Sequence, residues 1–241
     1  AALKKLIATK KDIELTGIGI GAPDANFHRG TIEHAPNLAW KGIVPLADMV
    51  KKEMNVPVVL TNDANAAAMG EMVFGGAKGM KDFVVLTLGT GLGSGIVVDG
   101  KLVYGHTGFA GEVGHMTVVP NGRVCGCGRK GCFEAYASAT GLVKTVSLLI
   151  SEMRDESPLR DLPPSKLTSK AIAEAAAKGD PIAVKAMEYT AEKLGFGIVN
   201  TIVFTSPEAI FLFGGLAQAG ELLFKPVREY LKKNNYVLFK N

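Results

Sequence analysis

The sequence predicts an α/β fold, and three observations carry that prediction. Runs with strand character, at 13–21 (IELTGIGIG), 56–62 (VPVVLTN), 82–105 and 209–215 (AIFLFGG), are separated by stretches with helical character. Turn-forming residues punctuate them at 22–37, 89–93 and 154–167. The composition, 47% hydrophobic and 21% charged over 241 residues, suits a chain that buries a sizeable core as one large domain or two lobes.

Taken in order, residues 1–11 read as the end of a helix, and the glycines of the 13–21 strand imply a backbone packed closely against something else. A loop follows, with Pro23, Asn26, Gly30, Pro36 and Asn37 as turn formers. A helix at 45–54 leads to the 56–62 strand, after which Asn62-Asp63 opens a helix reaching about Phe74. In 82–105, Asp99-Gly100 is a two-residue hairpin turn. Helices are expected at 134–152, 168–178 and 180–204, the second capped by Thr168 or Ser169 and the third started by Asp180-Pro181. The 154–167 stretch is an exposed connector, and two helices are expected after Gly214-Gly215. No internal repeat or low-complexity segment stands out.

The net charge of +4 is spread in short clusters, Lys4-Lys5, Lys10-Lys11, Lys51-Lys52 and Lys232-Lys233, which read as solvated helix faces and not as a nucleic-acid stripe. No apolar run reaches the ~18 residues of a membrane helix. A start at Ala-Ala-Leu-Lys-Lys, without Met or a signal peptide, suggests a fragment.

All three cysteines fall in one stretch, HMTVVPNGRVCGCGRKGCFE, where His115 is followed by nine residues, Cys125, one residue, Cys127, four residues and Cys132. Three thiolates and one imidazole are the donor set of a closed tetrahedral zinc site. An odd number of cysteines cannot pair off completely, so a reduced, metal-bound state is the simpler account; the alternative is three unrelated buried thiols beside a chance histidine. Gly126, Gly128 and Gly131 are expected at positive φ in the tight knuckle between the ligands. Glu112 and Glu134 bracket this unit and suggest a polar-ligand site held rigid by the metal.

Asp63 stands at a strand-to-helix junction, where an Asp has a plain role as a cap worth ~1 kcal/mol. Gly89-Thr90-Gly91-Leu92-Gly93 offers backbone N–H groups and a hydroxyl to a phosphate. It is neither a Walker loop, lacking the Lys-Ser/Thr, nor a dinucleotide fingerprint, since a hairpin follows where a helix should. Gly214-Gly215 is a strand-to-helix turn or part of a ligand site, and Asn37 a turn residue or a ligand contact.

The pattern GxxGEVGH followed by CxCGxxGCxE resembles the signature of the ROK family, the sugar kinases and sugar-sensing repressors of the actin/hexokinase superfamily, and especially its bacterial glucokinases. The resemblance covers nearly the whole chain. It implies an actin/hexokinase-like (ribonuclease H-like) two-lobe fold with the first lobe incomplete: 1–60 as a partial first lobe carrying the sugar loop and 61–241 as the second lobe. The match of NDANAAAxGE to the family's catalytic segment implies that Asp63 is the general base, with Asn62, Glu112, His115, Glu134 and Asn37 as sugar contacts. It further implies Gly89, Thr90, Gly91 and Gly93 at the phosphates of ATP with Mg²⁺, Gly214 and Gly215 at the adenosine, and His115, Cys125, Cys127 and Cys132 on structural zinc. Hexose and ATP would be the ligands of a cytoplasmic homodimer or higher homo-oligomer. Where the family carries Pro-Gly in the sugar loop, this chain has Pro23-Asp24, and the family's opening DxGGT turn and closing alanine-rich segment are not in it. The implied activity is phosphorylation of a glucose-like hexose at its 6-hydroxyl. The runner-up is a sugar-responsive repressor whose DNA-binding part lies outside the sequence, and a third reading is a zinc-stabilised interaction module.

Overall fold

The computed structural model describes residues 2–9, 14–35 and 38–239. Helix α1 (Ala2–Ala8) precedes strand β1 (Ile18–Gly21), which pairs in parallel with β5 (Val58–Thr61), Gly21 opposite Thr61. Between these two strands the chain makes a small antiparallel sheet of β2 (Ala25–Asn26), β3 (Thr31–Glu33) and β4 (Ile43–Val44), then helix α2 (Leu46–Met54). Ala22, Ala25, Ile32, Ala35 and Leu60 form a separate small core for this part. The strand expected at 13–21 is shorter than its apolar pattern. Residues 14–17 have no regular structure, and Ile13 lies outside the described residues.

Helix α3 (Asp63–Phe74) leads into the main sheet, built from β6 (Phe83–Leu88), β7 (Leu92–Val98), β8 (Lys101–Leu102) and β9 (Ala209–Phe213) in the order β8-β7-β6-β9. Neighbours run antiparallel except β6 and β9, which are parallel. The run FVVLTL in β6 is apolar without alternation because both of its faces are covered. Val84, Leu86 and Leu88 join the main core, while Phe83 and Val85 pack with Ala68 and Ala77 on the α3 side. Each such side chain, fully buried, stabilises by ~1.5–3 kcal/mol. The Asp99-Gly100 turn has positive φ at both residues, 49° and 72°, as a type I′ hairpin requires.

The main core is closed by α4 (Ala139–Glu152), α5 (Ser169–Ala177), α6 (Pro181–Thr205) and α7 (Glu221–Asn234). Thr168 caps α5, and Asp180 caps α6 through Ala183 N at 2.7 Å with Pro181 in the first turn. The helix expected from 134 begins at Ala139 instead, because Ser138 caps it by accepting from Gly141 N. Residues Phe133–Ala135 are a separate 3₁₀ turn. After Gly215 the two expected helices resolve into a 3₁₀ turn, Leu216–Ala219, and α7, parted by Gly220 at φ 59°. The 154–167 connector is exposed for most of its length, but Leu159 is buried. No helix among the described residues is long and apolar enough to cross a membrane.

Candidate functional site

The site assembles around the first residues of β7, on which three segments converge. Helix α3 lies across the strand where Gly93 and Gly95 leave room: a Cβ on Gly93 would stand 3.1 Å from Ala64 Cβ, and one on Gly95 2.6 Å from Ala68 Cβ. This brings Asn62 and Asp63, at the N-terminus of α3, to that end of the sheet. The 3₁₀ turn Val113–His115 rests on Leu92, whose carbonyl leaves no space for a Cβ on Gly114, and Ser94 Oγ donates to Gly111 O. Glu112 and His115 arrive there. Glu134 comes from the third segment, its Oε2 accepting from Leu92 N at 3.3 Å.

Asp63 is not the helix cap. Asn62 takes that position, its Oδ1 accepting from Ala64 N at 2.8 Å. Asp63 Oδ1 accepts from the same N–H at 2.8 Å, and no described hydrogen bond uses its other carboxylate oxygen.

His115, Cys125, Cys127 and Cys132 offer four ligand atoms that all lie within 4.8 Å of one another. Cys125 Sγ is 3.7 Å from His115 Nδ1, and Cys127 Sγ is 3.7 Å from Cys132 Sγ. A tetrahedron with metal–sulfur bonds of ~2.3 Å has edges of about 3.8 Å, so these side chains already stand as such a site requires. The sulfurs are too far apart for a disulfide, which needs ~2.05 Å, and all three cysteines are free. Burial first, and then the hydrogen bond to Glu134, pushes the Cys125 thiol up from its ordinary value. A bound cation opposes that shift by holding the thiolate.

The knuckle is fastened on all sides. Arg129 Nη1 donates to His115 O at 3.1 Å, Cys125 N to Arg129 O at 2.8 Å, and Phe133 N to Met116 O at 2.8 Å. Half-buried Arg123 donates to Ala135 O, Gly141 O and Thr145 Oγ1 at 3.0–3.2 Å, with its guanidinium 4.7 Å above the Tyr136 ring. Gly128 and Gly131 have the expected positive φ, 84° and 79°. Gly126 does not, because the left-handed bends fall at the two later glycines.

With Nδ1 turned to the cysteines, His115 Nε2 lies 3.9 Å from Glu112 Oε2. Glu134 Oε1 accepts from Cys125 Sγ at 2.9 Å, so this carboxylate touches the knuckle with one oxygen and β7 with the other. Burial pushes the Glu112 carboxyl above its ordinary range, opposed by His115 and reinforced by Asp24, Asp63 and Glu134. Asp24 is raised likewise, by burial foremost, with the same neighbours acting on it.

Asp24 was no candidate from sequence. The parallel pairing of β1 with β5 sends both strands' carboxyl ends the same way, Gly21 beside Thr61, so 22–24 and 62–63 emerge together. The only available signal was the side chain at a position where the resembling proteins have glycine, and Asp24 has φ 51°. Asn37 lies outside the described residues.

The glycine-rich stretch divides into loop and strand. Gly89-Thr90-Gly91 connects β6 to β7, with Ala139 N donating to Gly89 O at 2.9 Å and Thr140 Oγ1 to Thr90 O at 2.7 Å. Among the described residues no acceptor meets the N–H of Thr90 or Gly91. A Cβ on Gly89 would meet nothing within 4 Å, so the loop is open to a ligand there. Gly93 belongs to the strand. Gly214, at φ 104°, lies against Leu88 O, and Gly215 is open, so this turn shares the rim with Gly89 at the carboxyl ends of parallel β6 and β9. Ligands of open α/β sheets gather at such rims.

Two parallel strand pairs whose carboxyl ends carry carboxylates, glycine turns and a cysteine knuckle define an α/β protein of the actin/hexokinase fold. The chain belongs to the ROK family, whose sequence profile matches residues 1–240. It is 39% identical to a glucokinase of Halalkalibacterium halodurans over 226 residues, 92% of this chain and 68% of that one. It is also 36% identical over 237 residues to a xylose repressor of Caldicellulosiruptor bescii, 98% of this chain and 59% of that one. Among solved structures it resembles a ROK family glucokinase from Streptomyces griseus in complex with glucose and AMPPNP, with a TM-score of 0.82 and 37% identity, covering 96% of this chain and 76% of that one.

Proposed function

We propose that the protein is an ATP-dependent hexose kinase acting on the 6-hydroxyl of a glucose-like sugar. The observation that carries this reading is the convergence of Asp63, Glu112, His115 and Glu134 on one end of β7, beside an open glycine loop. The likeness to glucokinases supports it.

Asp63 acts as general base: it takes the proton of the 6-hydroxyl as that oxygen bonds to the γ-phosphorus, and the bond from phosphorus to the leaving ADP oxygen breaks with its electron pair. ATP with Mg²⁺ supplies the phosphoryl group when bound. Asn62, Glu112, His115 through Nε2, and Glu134 hold the remaining hydroxyls, with Asn37 a further contact. Gly89, Thr90 and Gly91 receive phosphate through backbone N–H groups, Gly93 lets α3 approach, and Gly214 and Gly215 face the adenosine. His115, Cys125, Cys127 and Cys132 would hold zinc, which would fix His115 and its neighbours. The division into lobes at 1–60 and 61–241, cytoplasmic location and a homodimer or higher homo-oligomer belong to the same reading.

A second reading, a sugar-responsive repressor, draws support from the 36% identity to a xylose repressor. Turnover of the intact wild type separates the two, and one exchange tests the base. If Asp63 is the base, Asp63→Asn in the intact protein lowers kcat by ~10²–10⁴ and leaves sugar affinity in place. Sugar binding without any ATP-dependent turnover in the intact wild type would favour the repressor. An Asp63→Asn protein with near-normal turnover would leave the kinase without a base.

A further inference from the structure

We propose that Asp24 is a specificity-determining contact of the sugar cleft, its carboxylate accepting a hydrogen bond from a hydroxyl or amino group of the substrate. The proposal rests on the reading of this cleft as a sugar site. Its geometry begins with the β1–β5 pair. Ala22 N donates to Thr61 O at 2.9 Å, continuing the ladder one residue past β1, and a Cβ on Gly21 would stand 2.9 Å from Ala66 Cβ and 3.5 Å from Asp63 Cα. The 22–24 turn is thereby pinned beside the first turn of α3.

The backbone of Asp24 is itself fixed, since its carbonyl accepts from Glu33 N at 3.0 Å across the small sheet. Its φ of 51° lies in the left-handed region, where glycine is the easiest residue and an aspartate carries some strain. The side chain is half-buried, yet no described hydrogen bond or ion pair reaches its carboxylate; His115 acts on it favourably, and Asp63 and Glu134 act on it as like charges. Fold stability alone gives no reason for an unpaired carboxylate in a left-handed bend, with only His115 opposing the like charges of Asp63 and Glu134. A ligand that donates a hydrogen bond removes the mismatch. The burial that raises its pKa is the same desolvation that strengthens such a bond once formed. A hydroxyl and an ammonium group both meet this need, and they differ in how they respond to loss of charge.

The test is titration calorimetry of the intact, zinc-loaded protein with glucose and with glucosamine, without nucleotide, on wild type, Asp24→Gly, Asp24→Asn and Glu112→Gln. Glycine and asparagine both tolerate the left-handed bend, and unchanged melting and zinc content verify the fold. Asp24→Gly is expected to raise the Kd of the better-bound sugar by about tenfold to a hundredfold, the loss of one charge-assisted hydrogen bond. Asp24→Asn keeps an acceptor without charge. It therefore retains most of the affinity if the donor is a hydroxyl, and loses it, for glucosamine alone, if the donor is an ammonium group. Sugar affinities within twofold of wild type in both Asp24 variants, with Glu112→Gln weakened, overturn the assignment and leave the sugar reading standing. A wild type that binds neither sugar overturns both.

Discussion

The knuckle at 113–136 and the turn at 22–30 both border the candidate site but are held in place by different means. The knuckle is fastened mostly from within its own stretch and the start of α4: Arg129 to His115, Arg123 to Ala135, Gly141 and Thr145, Cys125 to Arg129. Distance along the chain is therefore close to distance in space. The 22–30 turn is held by groups far along the sequence. Asn26 Nδ2 donates to Thr107 O at 2.9 Å, His28 Nε2 lies 3.0 Å from Gly105 O, and the Phe27 ring stacks on Tyr104 with centroids 4.0 Å apart and planes 9° from parallel. A locally fastened unit can be recognised from residue spacing, here the spacing of a candidate metal site. A remotely fastened one exists only once the rest of the chain has folded around it.

The sharpest way to break the comparison is to remove a metal ligand. Structural zinc carries an apparent binding energy of ~10–16 kcal/mol, so Cys127→Ser or Cys132→Ser is expected to lose metal and lower the melting temperature together. Elemental analysis alongside thermal melting checks it. Wild type and variants that purify equally free of metal and melt at the same temperature would mean that the cysteines pack and do not ligate.

A smaller effect is expected at the border of the knuckle. Glu112→Gln removes one charged acceptor and leaves the ligand set alone, so sugar affinity should weaken by ~1.5–3 kcal/mol at full zinc content. Loss of zinc in this variant would show that the carboxylate supports the metal and not the sugar.

The smallest effect belongs to the remotely held turn. Tyr104→Ala removes a ring stack worth ~0.5–1.5 kcal/mol beyond its buried area, and should lower the melting temperature by a few degrees without changing metal content. Hydrogen exchange should then rise at Asn26–Gly30 and not at 115–134. Equal loosening of both would mean that the two regions are not independently fastened.

What could be read from the sequence follows the same division. The cysteine spacing, the Thr168 and Asp180-Pro181 helix starts and the Asp99-Gly100 turn are local signals, and each is found where its chemistry predicts. Where neighbours in sequence could fill the same role, the structure made the choice. Asn62 takes the cap that Asp63 could have filled, and Ser138 starts α4 although the apolar pattern begins earlier. The 13–21 run looks like a strand throughout, yet the ladder begins at Ile18, where its partner β5 begins. Asp24 needed the β1–β5 register, which no short-range pattern contains.

Glu134 and Gly91 have a consequence for how this sequence can vary. A Cβ at position 91 would stand 2.5 Å from Glu134 Oε2, so an alanine there displaces the carboxylate from Leu92 N. The two positions are therefore coupled through one carboxylate. Because the atom met is the far end of a flexible side chain, Gly91→Ala should leave the fold intact and move the carboxylate, and its coupling to the shorter Glu134→Asp is what a double-mutant cycle would read directly.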